Sequence, residues 1–258
     1  MKINFKTKYF GKQFIWLNSV KSTNTFIANN KDSLENYAVV ATLNQTAGKG
    51  TKKRKFHSVL NKTLAVSFFF KNIKTCCLYN FPKACAVSLI LTLEKFKISC
   101  CKIKWFNDVV IENEKIAGIL CESFIKSKTA DVVVGAGINI LATKKELQNL
   151  GLLKAASIFS KTNKIIKPEQ FLKIFVETFE ETYLKYIYEN NKAKFLKLHE
   201  LFEKNCQTVG KLVKVYNIKT CEIFFAKAVN VALNGELLVL FNNNLIALHY
   251  EKYSILEI

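Results

Sequence analysis

Four short stretches hold side chains fit for chemistry. The first is Lys104-Trp105-Phe106-Asn107-Asp108, with Lys115-Ile116-Ala117-Gly118-Ile119-Leu120 close behind. Asp108 is a reasonable magnesium ligand, because Mg2+ prefers carboxylate and phosphate oxygens. Lys115 sits in an apolar run, an unusual place for an ammonium, although the exposed first residue of a strand is the commoner setting for a lone lysine. The second stretch, Gln45 to Ser58, reads QTAGKGTKKRKFHS. Gly48 and Gly50 let backbone amides approach a phosphate, and Lys49, Lys52, Lys53, Arg54 and Lys55 neutralise it. A solvated basic loop or a nucleic-acid patch fits that loop equally well. The third is Ser22-Thr23-Asn24 with Gln45, which together offer hydroxyls and amides near two strand ends. A capped helix beside a polar loop would use the same residues. The fourth is Gly135-Ala136-Gly137-Ile138-Asn139. It follows a strand but lacks the third glycine and the helix of a dinucleotide fingerprint.

The elements that must position these residues are readable from periodicity and punctuation. Residues 13–17 and 37–43 read as strands, and Ser22 or Thr23 can cap a helix running to about Asn30. Residues 44–62 form a long polar loop, followed by a strand at 63–70. A helix is predicted at 81–97, with Asn80 as cap and Pro82 in its first turn. Strands follow at 101–105, 108–112, 115–124 and 131–140, with Glu112-Asn113-Glu114 as a hairpin loop. Helices are predicted near 168–189 and 192–204. After Gly210 the pattern changes to short strands at 211–217, 221–232, 236–241 and 245–250, with Gly235 and Asn242–Asn244 at the turns. That shift sets a boundary near 207. The fold class is α+β: a main domain over 1–206, a mixed sheet flanked by helices, then a small β-barrel over 207–258.

Composition narrows the setting. The chain has 258 residues and is half apolar, enough for one large domain and one small one. The apolar blocks Thr63–Phe70 and Ala84–Leu93 are too short to span a bilayer, and the lysine-dotted start does not resemble a secretory signal. Eight cysteines without any CxxC spacing read as buried free thiols in a reducing, cytoplasmic setting. The formal charge of +19 attracts polyanions without choosing among nucleic acid, an acidic protein surface and nucleotide phosphates. Arg54 is the sole arginine of a lysine-rich chain, which suggests a position that lysine cannot serve.

In this order and spacing, S-T-N, Q-T-A-G-K-G, K-W-F-N-D, K-I-A-G-I-L and G-A-G-I-N resemble the signature of the biotin protein ligase family. The similarity runs from about Ser19 to Leu141, with a weaker match in the C-terminal domain. The resemblance implies a class II synthetase-like sheet with a small C-terminal barrel. It also implies an ATP-dependent ligase that makes biotinyl-5'-AMP with Mg2+ and transfers biotin to a lysine of a biotin carboxyl carrier protein. Ser22, Thr23, Asn24 and Gln45 would hydrogen-bond the biotin head, with Gly48 and Gly118 beside it. Lys49, Gly50 and Thr51 would close over the ligand. Lys49, Arg54, Phe56, Asn107, Asp108 and Asn139 would serve ATP, with Asp108 at the metal. Lys115 would bridge the biotin carboxylate and the α-phosphate, and Lys115 and Arg54 would act catalytically. Only 21 residues precede Ser22, so a monofunctional enzyme without specific DNA binding or a membrane partner is expected, with a homodimer admissible.

The chain departs from the family pattern at four places. Lys49-Gly50-Thr51 stands for the usual Arg-Gly-Arg, Phe56 for a tryptophan, Phe106 for a proline, and Glu251-Lys252 for a Gly-Glu pair. A lipoate or octanoate ligase of the same fold is the nearest rival, but its ligand needs no polar cluster at 22–24 and 45. A nucleic-acid-binding protein would interleave aromatics with the basic loop, where only Phe56 and His57 occur.

Overall fold

The computed structural model describes residues 2–257. Seven strands form the main sheet: β1 (Phe14–Trp16), β2 (Val39–Thr42), β5 (Thr63–Lys74), β6 (Cys101–Lys104), β7 (Asp108–Ile111), β8 (Glu114–Lys126) and β9 (Thr129–Asn139). A small hairpin, β3 (Gly48–Lys49) and β4 (Lys55–Phe56), lies within the basic loop. The sheet order is β1-β2-β5-β9-β8-β7-β6, with β1 parallel to β2 and every other pair antiparallel. Tight two-residue turns set the long hairpins. Glu112 and Asn113 both take positive φ, as a type I′ turn requires, so the β7–β8 loop is two residues rather than the expected three.

Side chains alternate across this sheet and divide its labour. On one face Leu64, Val66, Phe68 and Phe70 of β5 join Val132, Val134, Ala136 and Ile138 of β9 in the main core. Two helices, α2 (Asn80–Lys95) and α5 (Pro168–Tyr186), cover that face, with α6 (Lys192–Asn205) beside them. Pro168 occupies the first turn of α5, where its missing N–H costs nothing. The stretch 75–95 is apolar and long enough to cross a membrane, but 72% of its apolar window is buried inside the protein. On the other face α1 (Thr23–Asn30) covers a smaller cluster of Ile27, Val40, Phe69 and Val133. The remainder of that face is left for the site.

Two short helices escaped the sequence reading: α3 (Lys144–Asn149) and α4 (Ile158–Thr162). Each is announced by a capping box, at Thr143/Glu146 and Ser157/Ser160, but neither is long enough to show an apolar period.

The C-terminal unit is a separate sheet. Strands β10 (Leu212–Asn217), β11 (Ile223–Val231), β12 (Leu237–Phe241), β13 (Asn244–Leu248) and β14 (Tyr253–Glu257) form an antiparallel sheet in the order β13-β12-β11-β10-β14. Among the described residues no ladder joins β13 to β14. Val213, Val215, Ala226, Leu237 and Val239 belong to the same continuous cluster as the main-domain core. Polar ties fix the docking: Trp105 Nε1 donates to Gly235 O at 2.9 Å, and Lys83 Nζ donates to Leu233 O at 2.7 Å. The boundary read near 207 falls in the link between α6 and β10.

Candidate active site

A cavity of about 620 Å³ opens on the α1 side of the main sheet. Its floor is a cross-strand pattern of small residues. Ala65, Gly137, Gly118 and Asp108 lie side by side on β5, β9, β8 and β7, and the next row holds Ser67, Gly135 and Leu120. The glycines are explained by what lies above them. A methyl group on Gly135 would collide with the side-chain amide of Asn24, and one on Gly137 with the ring of Phe56. One on Gly118 would come within 2.8 Å of Lys115 Nζ. The Gly-x-Gly is therefore a pair of clearances on one face of a strand rather than a phosphate loop.

At one end of the cavity the polar cluster is assembled by the start of α1. Ser22 caps the helix, its hydroxyl accepting from Thr25 N at 3.4 Å. Backbone bonds from Thr46 and Ala47 to Val20 and Lys21 bring Gln45 alongside. Gln45 Oε1 then accepts from Thr23 N at 3.0 Å and from Thr23 Oγ1 at 3.4 Å. Asn24 Nδ2 donates to Glu122 Oε2 at 2.8 Å and to Leu120 O at 3.2 Å. Ser67 Oγ lies 2.7 Å from both Thr23 Oγ1 and Asn24 Oδ1. Ser22, Thr23, Asn24 and Ser67 are all buried. Such a network orients each donor and acceptor, because an unpaired buried polar group is costly. Ser67 and Glu122 are the residues that sequence reasoning missed. Ser67 sits in TLAVSFFF, and its only signal is a hydroxyl in an otherwise apolar strand.

The other end carries charge. Lys115 Nζ pairs with Asp108 Oδ1 at 2.6 Å, both side chains partly exposed to the cavity. The Lys115 backbone is pinned to the segment after α3, donating to Lys154 O and accepting from Ala156 N, both at 2.9 Å. Asn107 bonds twice to Ile119, by its side-chain amide at 2.8 Å and its carbonyl at 2.9 Å, which fixes the loop that carries Asp108. The β3–β4 hairpin forms the rim, where Lys49, Gly50, Thr51, Arg54 and Phe56 line the cavity. Arg54 Nη2 donates to Ser254 Oγ at 3.1 Å. Burial, and after it the nearby Arg54 charge, bring the Lys52 ammonium down to about 8.

Two expected residues do not line the cavity. Gly48 pairs with Phe56 and holds the hairpin close to Gln45 instead. Asn139 is buried with both ends of its amide engaged, accepting from Thr63 Oγ1 at 3.1 Å and donating to Ala156 O at 3.0 Å. In this structure it ties β5 and β9 to the segment that pins Lys115.

For magnesium, the donor set fits an ion carried by a nucleotide. Among the described residues there is no group of three or more His, Cys, Asp or Glu side chains placed to hold a metal, and Asp108 supplies the carboxylate of the cavity. One carboxylate plus phosphate oxygens is the usual way Mg2+ is held at such sites.

Comparison with known proteins agrees with this architecture. Residues 16–139 match the model of the biotin/lipoate A/B protein ligase family. The stretch takes in α1, the β3–β4 hairpin and nearly all of the main sheet, and so the whole cavity except the segment 151–155 and the C-terminal rim. The chain is 30% identical over 137 residues to the bifunctional ligase/repressor BirA of Escherichia coli, covering 49% of this chain and 40% of that protein. It is 25% identical over 194 residues to the chloroplastic biotin–protein ligase 1 of Arabidopsis thaliana, covering 68% of this chain and 48% of the relative. The chain thus spans about half the length of these curated relatives or less. The fold as a whole is like that of the biotin protein ligase from Aquifex aeolicus solved in complex with biotin and ATP. That likeness has a TM-score of 0.75 at 23% identity and covers 95% of this chain and 98% of the other.

The network predicts the effect of its missed member. Ser67→Ala removes a buried hydroxyl shared by Thr23 and Asn24, and an unmade buried hydrogen bond costs on the order of 1–3 kcal/mol. Affinity for the ligand of the polar end is expected to fall roughly tenfold, with nucleotide affinity unchanged, as isothermal calorimetry with each ligand would show.

Proposed function

We propose that this chain is a biotin–protein ligase. It activates biotin with ATP to biotinyl-5'-AMP and passes the acyl group to a lysine of a biotin carboxyl carrier protein. The observation that carries the reading is one cavity with a buried hydroxyl and amide cluster at one end and a basic, aromatic rim at the other. A ureido ring, which both donates and accepts hydrogen bonds, suits the Ser22, Thr23, Asn24 and Gln45 end. A nucleotide suits the rim, where the Phe56 ring offers a stacking face and Lys49 and Arg54 offer charge.

In the first step a biotin carboxylate oxygen attacks the α-phosphorus of ATP, and pyrophosphate leaves. Two anions must meet, so cations preorganised around the developing charge lower the barrier. Lys115, at the charged end beside Asp108, would make that contact, with Arg54 at the rim. Magnesium held by Asp108 and phosphate oxygens would supply further charge neutralisation. In the second step the neutral amine of the acceptor lysine attacks the acyl carbon, and AMP leaves with the bonding pair of the anhydride oxygen. The hairpin over the cavity shields the anhydride from water until then.

The acceptor and the cytoplasmic setting belong to the same proposal. The rival within the family takes lipoate, whose dithiolane ring cannot use a hydroxyl and amide cluster. Calorimetric titration with biotin and with lipoate separates them. Binding of biotin at least a hundredfold tighter supports the proposal, and equal or tighter binding of lipoate overturns it.

A further inference from the structure

Lys52 stands in the loop where family members close over their ligand, yet its side chain is committed elsewhere. It takes a left-handed backbone conformation, φ 59° and ψ 37°, inside the turn Thr51–Lys53. That conformation is uncommon for a residue with a Cβ and needs support from its surroundings. The support is visible. Lys52 Nζ donates to Tyr253 O at 2.6 Å and to Ser254 Oγ at 2.7 Å. The same Ser254 hydroxyl accepts from Arg54 Nη2 at 3.1 Å. Ser254 is buried on β14, opposite Tyr216 of β10. On the other side of the rim Tyr250 stacks on Phe106, ring centroids 4.2 Å apart at 23°. The C-terminal sheet therefore grips the site at two points, the loop through Ser254 and the strand connection before Asp108 through Tyr250.

We propose that Lys52 and Ser254 form a latch that holds the glycine-rich hairpin against the C-terminal sheet and sets how long the activated intermediate stays in the cavity. The proposal rests on the ligase reading above and deepens it. The bonds from this loop to β14 come from Lys52 and Arg54, so the residue after Thr51 takes the clamping role. Both residues are positioning residues: Lys52 is spent on protein acceptors and acts on the ligand through the loop. A short, charge-assisted hydrogen bond is stronger than a neutral one, and the contributions of Lys52 and Ser254 are coupled through the bond they share.

The test is release of preformed, radiolabelled biotinyl-AMP without acceptor, in wild type, Lys52→Met, Ser254→Ala, Ser254→Thr and the Lys52→Met/Ser254→Ala double variant. Release should accelerate roughly tenfold in each single loss variant. The double variant should accelerate by clearly less than the product of the two single effects, because the bond between the two residues is shared, and Ser254→Thr should stay slow. Thermal unfolding of the full chain confirms that each variant is folded. An unchanged release rate in Ser254→Ala overturns the latch, as does acceleration confined to Lys52→Met, which would make Lys52 a phosphate ligand. A second arm needs no ligand: limited trypsin digestion should cut residues 49–55 faster in Ser254→Ala than in wild type, and equal cutting overturns the latch. Failure of wild type to form any adenylate would sink the ligase reading instead, leaving the trypsin arm to decide the latch.

Discussion

Lys115→Ala is expected to lose biotin-dependent adenylate formation by about two orders of magnitude or more, the usual size for removal of one preorganised charge contact. The fold should survive. The Lys115 backbone is held by Lys154 and Ala156 whatever its side chain, and the ammonium itself is partly exposed and paired with Asp108. Gly118 leaves room for that side chain to lie over β8, which is the mark of a residue placed for use rather than for packing. Pyrophosphate exchange and thermal unfolding, measured on the same preparation, check both halves. Near-native exchange would reduce Lys115 to a structural ion pair.

Gly135→Ala and Gly137→Ala, two residues apart on β9, are expected to fail differently. A methyl at 135 meets Asn24, whose amide is already fixed by Ser67, Glu122 and Leu120. Asn24 cannot yield without breaking buried bonds, so biotin affinity should fall roughly ten- to a hundredfold. A methyl at 137 meets the Phe56 ring, which can swing aside but then gives up its place over the floor. ATP affinity should fall while biotin affinity is largely kept. Titrating each variant with each ligand gives the pattern, and a uniform loss of both ligands in both variants would show that the strand had simply been disrupted.

Much of this site was legible in the sequence because its parts are local. Ser22-Thr23-Asn24 had to start a helix, and the glycine-rich basic loop had to be exposed. Asp108 and Lys115 had to flank a tight hairpin. What stayed hidden depends on which face a residue takes. In β5 and β9 both faces are apolar or small, so the period of two that would mark Ser67, Gly135 and Gly137 as facing the site is masked. Asn139 shares the motif of those glycines, yet its amide is consumed within the protein by Thr63 and Ala156, a tertiary bond that no spacing announces. Strand β14 was passed over for a related reason. It is an edge strand at the chain's end, and its value lies in Tyr253 and Ser254 reaching a loop some two hundred residues earlier. The C-terminal strands were legible from their close spacing and turn residues, which report the number of strands but not their order in the sheet.

The central claim is that one cavity joins a ureido-binding end to a nucleotide-binding rim and couples them in chemistry. The measurement that tests it most directly is ATP–pyrophosphate exchange on the purified chain, with biotin, lipoate, octanoate or no acid added. It reads the first half-reaction without any acceptor protein. The account predicts exchange that requires biotin, saturates with it, and stays at background with the other two acids. Exchange that ignores biotin, or that runs faster with lipoate or octanoate, would contradict it.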